Sequence, residues 1–350
     1  MINPKVTMMG ILDPRRYILF LISFSALLTS CGGDSEVKPI AQTEVTSSAE
    51  DFTSINEAIK ESPNNPDLYL RRARLFKQNQ QLKDAYSDVG RALKIDSLLP
   101  AAHHEMGLLY YMDGQMGEAK FAFEGALSLD SKYIPSMLQL AEIYLVLKNY
   151  NKSMTEINNV LKIDQQVGQA YFLKGLIYKE QKNMELAKSS FQTAIEMNPQ
   201  NVEAFNLLGM IYAEEDDGLS MTYYNTVLDI DSAHKEALYN RAFFLQDQGY
   251  VQDALEAYDL LLKFHPGTAV AYYNKGYVYF GYLNDVAQAI DAFTEAIRFN
   301  PQFVKAYFNR AVALEEKGKK SDAINDYKKV VELDPDHDAA LAALNRLGAK

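Results

Sequence analysis

Residues 66–99 read PDLYLRRARLFKQNQQLKDAYSDVGRALKIDSLL. The same arrangement of small, apolar and polar positions restarts at Pro100, Ile134, Gly168, Val202, Lys235, Ala269 and Val304, and ends at His337. Six of the eight units are 34 residues long; the fifth (202–234) is one residue shorter and the seventh (269–303) one longer. A fixed period of this size marks stacked supersecondary units, none of which buries its apolar face alone. The eighth position of each unit is Ala73, Gly107, Ala141, Gly175, Gly209, Ala242, Gly276 and Ala311, and the twentieth is Ala85, Ala119, Ser153, Ala187, Ser220, Ala254, Ala289 and Ala323. Small residues at both places let two antiparallel helices approach closely. The eleventh (Phe76, Tyr110, Tyr144, Tyr178, Tyr212, Leu245, Tyr279, Leu314) and the twenty-fourth (Val89, Phe123, Ile157, Phe191, Tyr224, Tyr258, Phe293, Tyr327) are large. They fill the space between helices, each contributing about 1.5–3 kcal/mol when fully buried. Pro199, Pro266, Pro301 and Pro335 stand at the thirty-second position, where they end the second helix of a unit.

These positions together resemble the tetratricopeptide repeat (TPR) over residues 66–337. The resemblance implies an all-α fold: a right-handed superhelix (an α-solenoid) of eight helix-turn-helix repeats, with at least 65% helix and no sheet. The chain departs from the family pattern in having no tryptophan, so the fourth position carries Tyr69, His103, Met137, Tyr171, Phe205, Leu238, Tyr272 and Tyr307. Repeat 3 is the loosest match, with Ser153, Val160 and Gln165 at signature positions, and is the expected weak point of the stack. Residues 51–65 resemble a capping half repeat, its helix spanning Ser54 to Pro63. Residues 338–350 supply a closing helix from Asp338 to Leu347, covering an end that would otherwise expose core.

The composition, 48% hydrophobic and 23% charged, excludes global disorder. Lys and Arg number 35 against 46 Asp and Glu, a net charge of −11, which argues against nucleic acid as a partner. One cysteine, Cys31, allows neither an intramolecular disulfide nor a thiolate metal cluster. There is no P-loop, GxGxxG, GxSxG, HExxH or EF-hand loop, so neither an enzyme nor a resident metal or cofactor is expected. Asp229-Ile230-Asp231 reads as a repeat-ending loop, Glu214-Glu215-Asp216-Asp217 as a solvated turn, and the sequon Asn151-Lys152-Ser153 as the start of a helix. His103 and His104 are adjacent on a helix and do not share a face, so joint metal binding is not expected.

The N-terminus reads as an address. Lys5, Arg15 and Arg16 precede the apolar run Tyr17 to Leu28, which is too short to span a bilayer but fits a signal h-region. Leu28-Thr29-Ser30-Cys31 follows and resembles the lipobox of bacterial lipoproteins. That resemblance implies a signal peptide over 1–30, cleavage after Ser30, and diacylglycerol on Cys31 with N-acylation of the new amine. Two or three acyl chains hold a protein on a membrane, whereas one does so marginally. Residues 31–50 form a small, polar tether. Gly32 follows the cysteine in place of an inner-membrane retention aspartate, and Asp34 and Glu36 resemble acidic surface-export tags. The expected location is the bacterial cell envelope, lipid-anchored, at the outer membrane. Loss of residues 1–30 leaves a net charge of −13, which keeps the body off anionic lipid.

In TPR arrays the first helix of each repeat lines the concave face through its second, fifth, sixth, ninth, twelfth and thirteenth positions. Here those positions outline two surfaces. Repeats 2 and 3 present His104, Leu108, Tyr111, Met112, Leu145 and Val146, an apolar patch. Repeats 6 to 8 present Asn240, Asn274 and Asn309, all at the sixth position, flanked by Tyr239, Phe243, Tyr273, Tyr277 and Phe308. An amide recurring at repeat spacing can bond the backbone of an extended peptide while neighbouring rings pack on its side chains. This resembles the asparagine ladder of the O-linked N-acetylglucosamine transferase. The carboxylate clamp of chaperone-binding TPR proteins is missing, because the fifth positions hold Leu70, His104, Leu138, Phe172, Asn206, Tyr239, Tyr273 and Phe308 rather than lysine. The expected function is a non-catalytic scaffold binding peptide segments of envelope proteins, for envelope or secretion assembly. The alternative is a nutrient- or glycan-binding uptake lipoprotein. Such families interrupt their repeats with long insertions, and this array has none longer than one residue.

Overall fold

The computed structural model describes residues 51–349; the signal segment, Cys31 and the tether lie outside the described residues. Among those residues there are 18 α-helices and no strand, and 233 residues are helical, two-thirds of the chain. Contacts divide the described residues into two compact units, 51–201 and 202–349.

Residues 51–201 hold α1 (Phe52–Glu61), α2 (Pro66–Gln78), α3 (Leu82–Ile95), α4 (Pro100–Met112), α5 (Met116–Leu129), α6 (Ile134–Val146), α7 (Tyr150–Ile163), α8 (Gly168–Glu180) and α9 (Met184–Met197). Residues 202–349 hold α10 (Val202–Glu214), α11 (Leu219–Ile230), α12 (Lys235–Asp247), α13 (Val251–Phe264), α14 (Ala269–Gly281), α15 (Val286–Phe299), α16 (Val304–Glu316), α17 (Lys320–Leu333) and α18 (Asp338–Arg346). Each even-numbered helix from α2 to α16 opens a repeat and the next closes it. The half-repeat helix α1 begins two residues before Ser54, because the Asp51 side chain caps it, accepting the Ser54 N–H at 2.8 Å.

The turn inside every hairpin closes the same way. Gln80, Gly114, Lys148, Lys182, Asp216, Gly249, Asn284 and Gly318 have φ between 55° and 79°. The N–H after each one returns to the eleventh-position carbonyl of the first helix, as in Gln81 to Phe76 and Gln115 to Tyr110, both at 2.8 Å. This is the left-handed stop that satisfies orphan carbonyls at a helix end. Six second helices end at an Asp or Asn whose carboxyl or amide oxygen accepts the N–H two residues on: Asp96, Asp130, Asp164, Asn198, Asp231 and Asn300. Asp231 is therefore used by its turn, as the sequence suggests.

The core lies between the helices of each hairpin and against the next first helix. Phe123, Phe191, Tyr224, Tyr258, Phe293 and Tyr327, all at the twenty-fourth position, are the largest fully buried side chains. Glycine at the eighth position is a requirement wherever the facing ring is not tied elsewhere. A Cβ on Gly107, Gly175, Gly209 or Gly276 would stand 2.5–2.6 Å from a ring carbon of Phe123, Phe191, Tyr224 or Phe293 respectively.

Both serines at the twentieth position are fully buried, with different outcomes. Ser153 Oγ donates to the Ala141 carbonyl at 2.7 Å, whereas Ser220 Oγ has no partner. The unpaired hydroxyl thus falls in repeat 5 rather than in the loosely matching repeat 3. Alanine holds this position in the other six repeats. Ser220→Ala is expected to raise stability by about 1 kcal/mol by removing an unmet desolvation cost, read as a higher urea midpoint. A lower midpoint would contradict the assignment.

Candidate functional site

In residues 202–349 the first helices of successive repeats (α10, α12, α14 and α16) are neighbours, and hydrogen bonds run from each to the next. Asn240 Nδ2 donates to Asn206 Oδ1 at 3.4 Å. Asn274 Nδ2 donates to the Tyr258 hydroxyl at 3.0 Å and to the Tyr239 hydroxyl at 3.4 Å. Asn309 Nδ2 donates to the Tyr273 hydroxyl at 3.0 Å. Tyr258 in turn donates to Gln246 Oε1 at 2.9 Å. Burial pushes the Tyr258 and Tyr273 hydroxyls well above the ordinary tyrosine range, so they stay protonated.

This arrangement corrects the reading of an open ladder. Asn274 and Asn309 are 6% and 3% exposed, and Tyr273 is 8% exposed. The sixth position of one first helix packs against the fifth of the preceding one, so these amides bond phenols inside the protein. Asn240, at the start of the series, is half-buried. The seam holds repeats together; burying unpaired amides would be costly, and each has found a partner.

What remains open is a row one turn further along. The ninth positions Met210, Phe243, Tyr277 and Val312 are all half-buried. The sequence reading included Phe243 and Tyr277 but not Met210 and Val312. Tyr239 and Phe243 stack with centroids 6.1 Å apart and planes at 15°. Phe308 is also half-buried but leans on Tyr327 and His337, with centroids 5.7 and 4.9 Å away.

In residues 51–201 the residues of the expected apolar patch differ in exposure. Leu108, Tyr111 and Leu145 are half-buried, and Met112 and Val146 are 38% and 56% exposed. Tyr111 donates to Glu142 Oε1 at 3.2 Å, and burial followed by that carboxylate pushes its hydroxyl up to about 12. Burial also raises the Glu142 carboxyl.

His104 does not belong to this surface. It is 4% exposed, with Nδ1 3.1 Å from Ser136 Oγ and its ring against Phe123 and Tyr133. Burial pulls its imidazole down to about 4. Its neighbour Glu105, also 4% exposed, was not singled out in the sequence. Glu105 receives Arg74 Nε at 2.5 Å and Lys77 Nζ at 2.8 Å from the preceding first helix. The available signal was an acid at a sixth position one repeat after bases at the ninth and twelfth.

Comparison with known proteins agrees with the repeat fold. Family models described as tetratricopeptide repeat match residues 304–337, 168–201 and 269–303, 110–176, and 190–222, together more than half of the chain. No curated protein matches the chain in sequence. Among solved structures, the C-terminal part of a TPR repeat-containing protein from Cytophaga hutchinsonii is similar at 14% identity and TM-score 0.58. That match covers 68% of this chain and 98% of the other. PilF of Pseudomonas aeruginosa is similar at 19% identity and TM-score 0.51, covering 59% of this chain and 93% of the other. The Cut9–Hcn1 hetero-tetramer of the APC/C is similar at 16% identity and TM-score 0.52, covering 83% of this chain and 57% of the other. At these identities the likeness is one of fold.

Proposed function

The chain belongs to the tetratricopeptide repeat family, and on that premise we propose that it is a non-catalytic scaffold, tethered by acyl chains on Cys31 to a bacterial cell envelope. It holds segments of partner proteins on the first-helix faces of its repeats and serves envelope or secretion assembly at the outer membrane. The observation that carries the reading is the half-buried apolar row Met210, Phe243, Tyr277 and Val312, set on a seam of satisfied hydrogen bonds. Rigid, partly exposed rings on a fixed support are the kind of anchor from which interaction surfaces draw their affinity. The polar groups that could suggest chemistry are engaged in packing: His104 with Ser136, Glu105 with Arg74 and Lys77, Asn274 with two phenols. The lipobox residues Leu28 to Cys31, behind a short apolar run, support the tether.

The burial of Asn274 also decides which variants test the surface, because truncating it would disturb the fold. Phe243→Ser with Tyr277→Ser is expected to lower recovery of partners cross-linked in the native membrane by at least tenfold, with the helical circular dichroism unchanged. Cys31→Ser is expected to move the protein from the membrane to the soluble fraction. Undiminished recovery from the double variant would overturn the surface; a membrane-bound Cys31→Ser protein would overturn the tether.

A further inference from the structure

The two units differ in charge. Residues 202–349 carry 23 Asp and Glu against 13 Lys and Arg, whereas residues 51–201 carry 18 against 17. The difference is concentrated on the first-helix faces. At the second, fifth, sixth, ninth, twelfth and thirteenth positions, α10, α12, α14 and α16 hold Glu203, Glu214, Glu236, Asp247, Glu315 and Glu316 against one cation, Lys305. The same positions of α2, α4, α6 and α8 balance four acids with four bases.

The second, ninth and thirteenth residues of a helix fall on one side of it. Acids therefore stand beside Met210 (Glu203 and Glu214), Phe243 (Glu236 and Asp247) and Val312 (Glu316), whereas Val270 and Gly281 hold those places beside Tyr277. Glu203, Glu214 and Glu316 are exposed, and the Glu236 side chain is 67% exposed. Glu315 receives Arg346 at 2.8 Å and the Tyr327 hydroxyl at 2.7 Å, and Glu236 stands 3.9 Å from His234 Nδ1. Most of the bases in this unit that form ion pairs do so away from this face: Lys275 with Asp259, Arg298 with Glu295, Arg310 with Asp326 and Lys329 with Glu332.

Resting on the scaffold reading above, we propose that the first-helix face of residues 202–349 selects a cationic segment of a partner protein: an extended stretch whose apolar side chains seat on Met210, Phe243, Tyr277 and Val312 while lysines or arginines between them meet the flanking carboxylates. Packed helices lie about 8–10 Å apart, and an extended chain of the polyproline II kind advances about 3.1 Å per residue with three residues per turn, so apolar side chains three residues apart fall on one face and match the row. The carboxylates steer the encounter and reject acidic competitors, and the row supplies the contact area.

The test uses the full chain and three labelled 12-residue peptides. The first has leucine at every third position and lysine elsewhere; the second replaces lysine by glutamate; the third keeps lysine and replaces leucine by serine. The first is expected to bind at least tenfold more tightly than either of the others and to weaken as salt is raised. Glu203→Gln with Glu236→Gln is expected to weaken it about fivefold, and Phe243→Ser with Tyr277→Ser to remove it. If the lysine–leucine peptide binds no better than the glutamate peptide, the charge selection is overturned. If both then lose binding in Phe243→Ser with Tyr277→Ser, the scaffold surface survives. If that variant binds the lysine–leucine peptide like the parent, both the selection and the surface are overturned.

Discussion

Lowering the pH from 7 to 4 is expected to remove on the order of 3 kcal/mol of stability from residues 51–201 through one side chain, His104. Burial against Phe123 and Tyr133 is the main reason its imidazole is pulled down to about 4, with Lys77 and Arg74 adding to the effect and Glu105 opposing it. An unfolded histidine titrates near 6.5. Between these values the unfolded chain takes up a proton that the folded chain declines. Stability is therefore full above about pH 6.5 and falls at up to about 1.4 kcal/mol per pH unit as pH drops toward 4. Glu105 adds a second loss at lower pH. Burial pushes its carboxyl up, but Lys77 and Arg74 outweigh burial and hold it below the ordinary glutamate range. Its contribution is present above the unfolded value near 4.5 and disappears as pH falls through the folded one. His104→Gln keeps a polar group opposite Ser136 without a titrating ring. The opening free energy of α4, obtained from amide exchange after correction for the intrinsic pH-dependent rate, should fall steeply from pH 7 to 4 in the parent and much less in the variant; parallel profiles would exclude His104 as the source.

Gly175→Val is expected to cost about 3 kcal/mol, at the upper end of overpacking losses in a filled core. Even the Cβ of alanine there would lie 2.5, 2.6 and 3.0 Å from three carbons of the Phe191 ring, which is fully buried and has nowhere to move. The repeats themselves contain the compensation. Where the eighth position is alanine in repeats 1 and 3, the facing residue is Val89 or Ile157. Where alanine faces a ring, in repeats 6 and 8, the tyrosine hydroxyl is tied to the twelfth position, Tyr258 to Gln246 and Tyr327 to Glu315. Gly175→Ala combined with Phe191→Ile reproduces the pairing of repeat 3. The double variant is expected to be at least 1 kcal/mol more stable than the sum of the single changes predicts. Additive losses in denaturant titrations would show that the glycine and the ring do not constrain one another.

Most of the fold was legible because a solenoid repeats its instructions. Small residues at the eighth and twentieth positions and large ones at the eleventh and twenty-fourth mark the hairpin core locally, within 34 residues, and helix ends follow from turn chemistry close by. The closing helix came out at Asp338–Arg346, one residue short of the expected Leu347. The small size of Gly175 and the bulk of Phe191 are each visible in the sequence, whereas their steric pairing is not, because it depends on how closely the two helices of one repeat approach.

The interaction surface was less legible. Facing the groove is a property of a single helix, whereas burial depends on what the preceding repeat places there. Tyr239 and Tyr273 at fifth positions close over Asn274 and Asn309 at the next sixth positions. His104 is covered by Ser136 of the following repeat and by Tyr133, the last residue of its own. Phe243 and Tyr277 stay partly open because the ninth position lies beyond that seam.

The scaffold account is tested most directly by site-specific photo-cross-linking in the native membrane. A photoreactive residue is placed at Phe243, on the first-helix face, or at Asp291, exposed on the second helix of repeat 7. The account predicts discrete partner adducts from position 243, lost when Tyr277→Ser is added, and none from position 291. Adducts of equal yield from both positions, or from 291 alone, would contradict it.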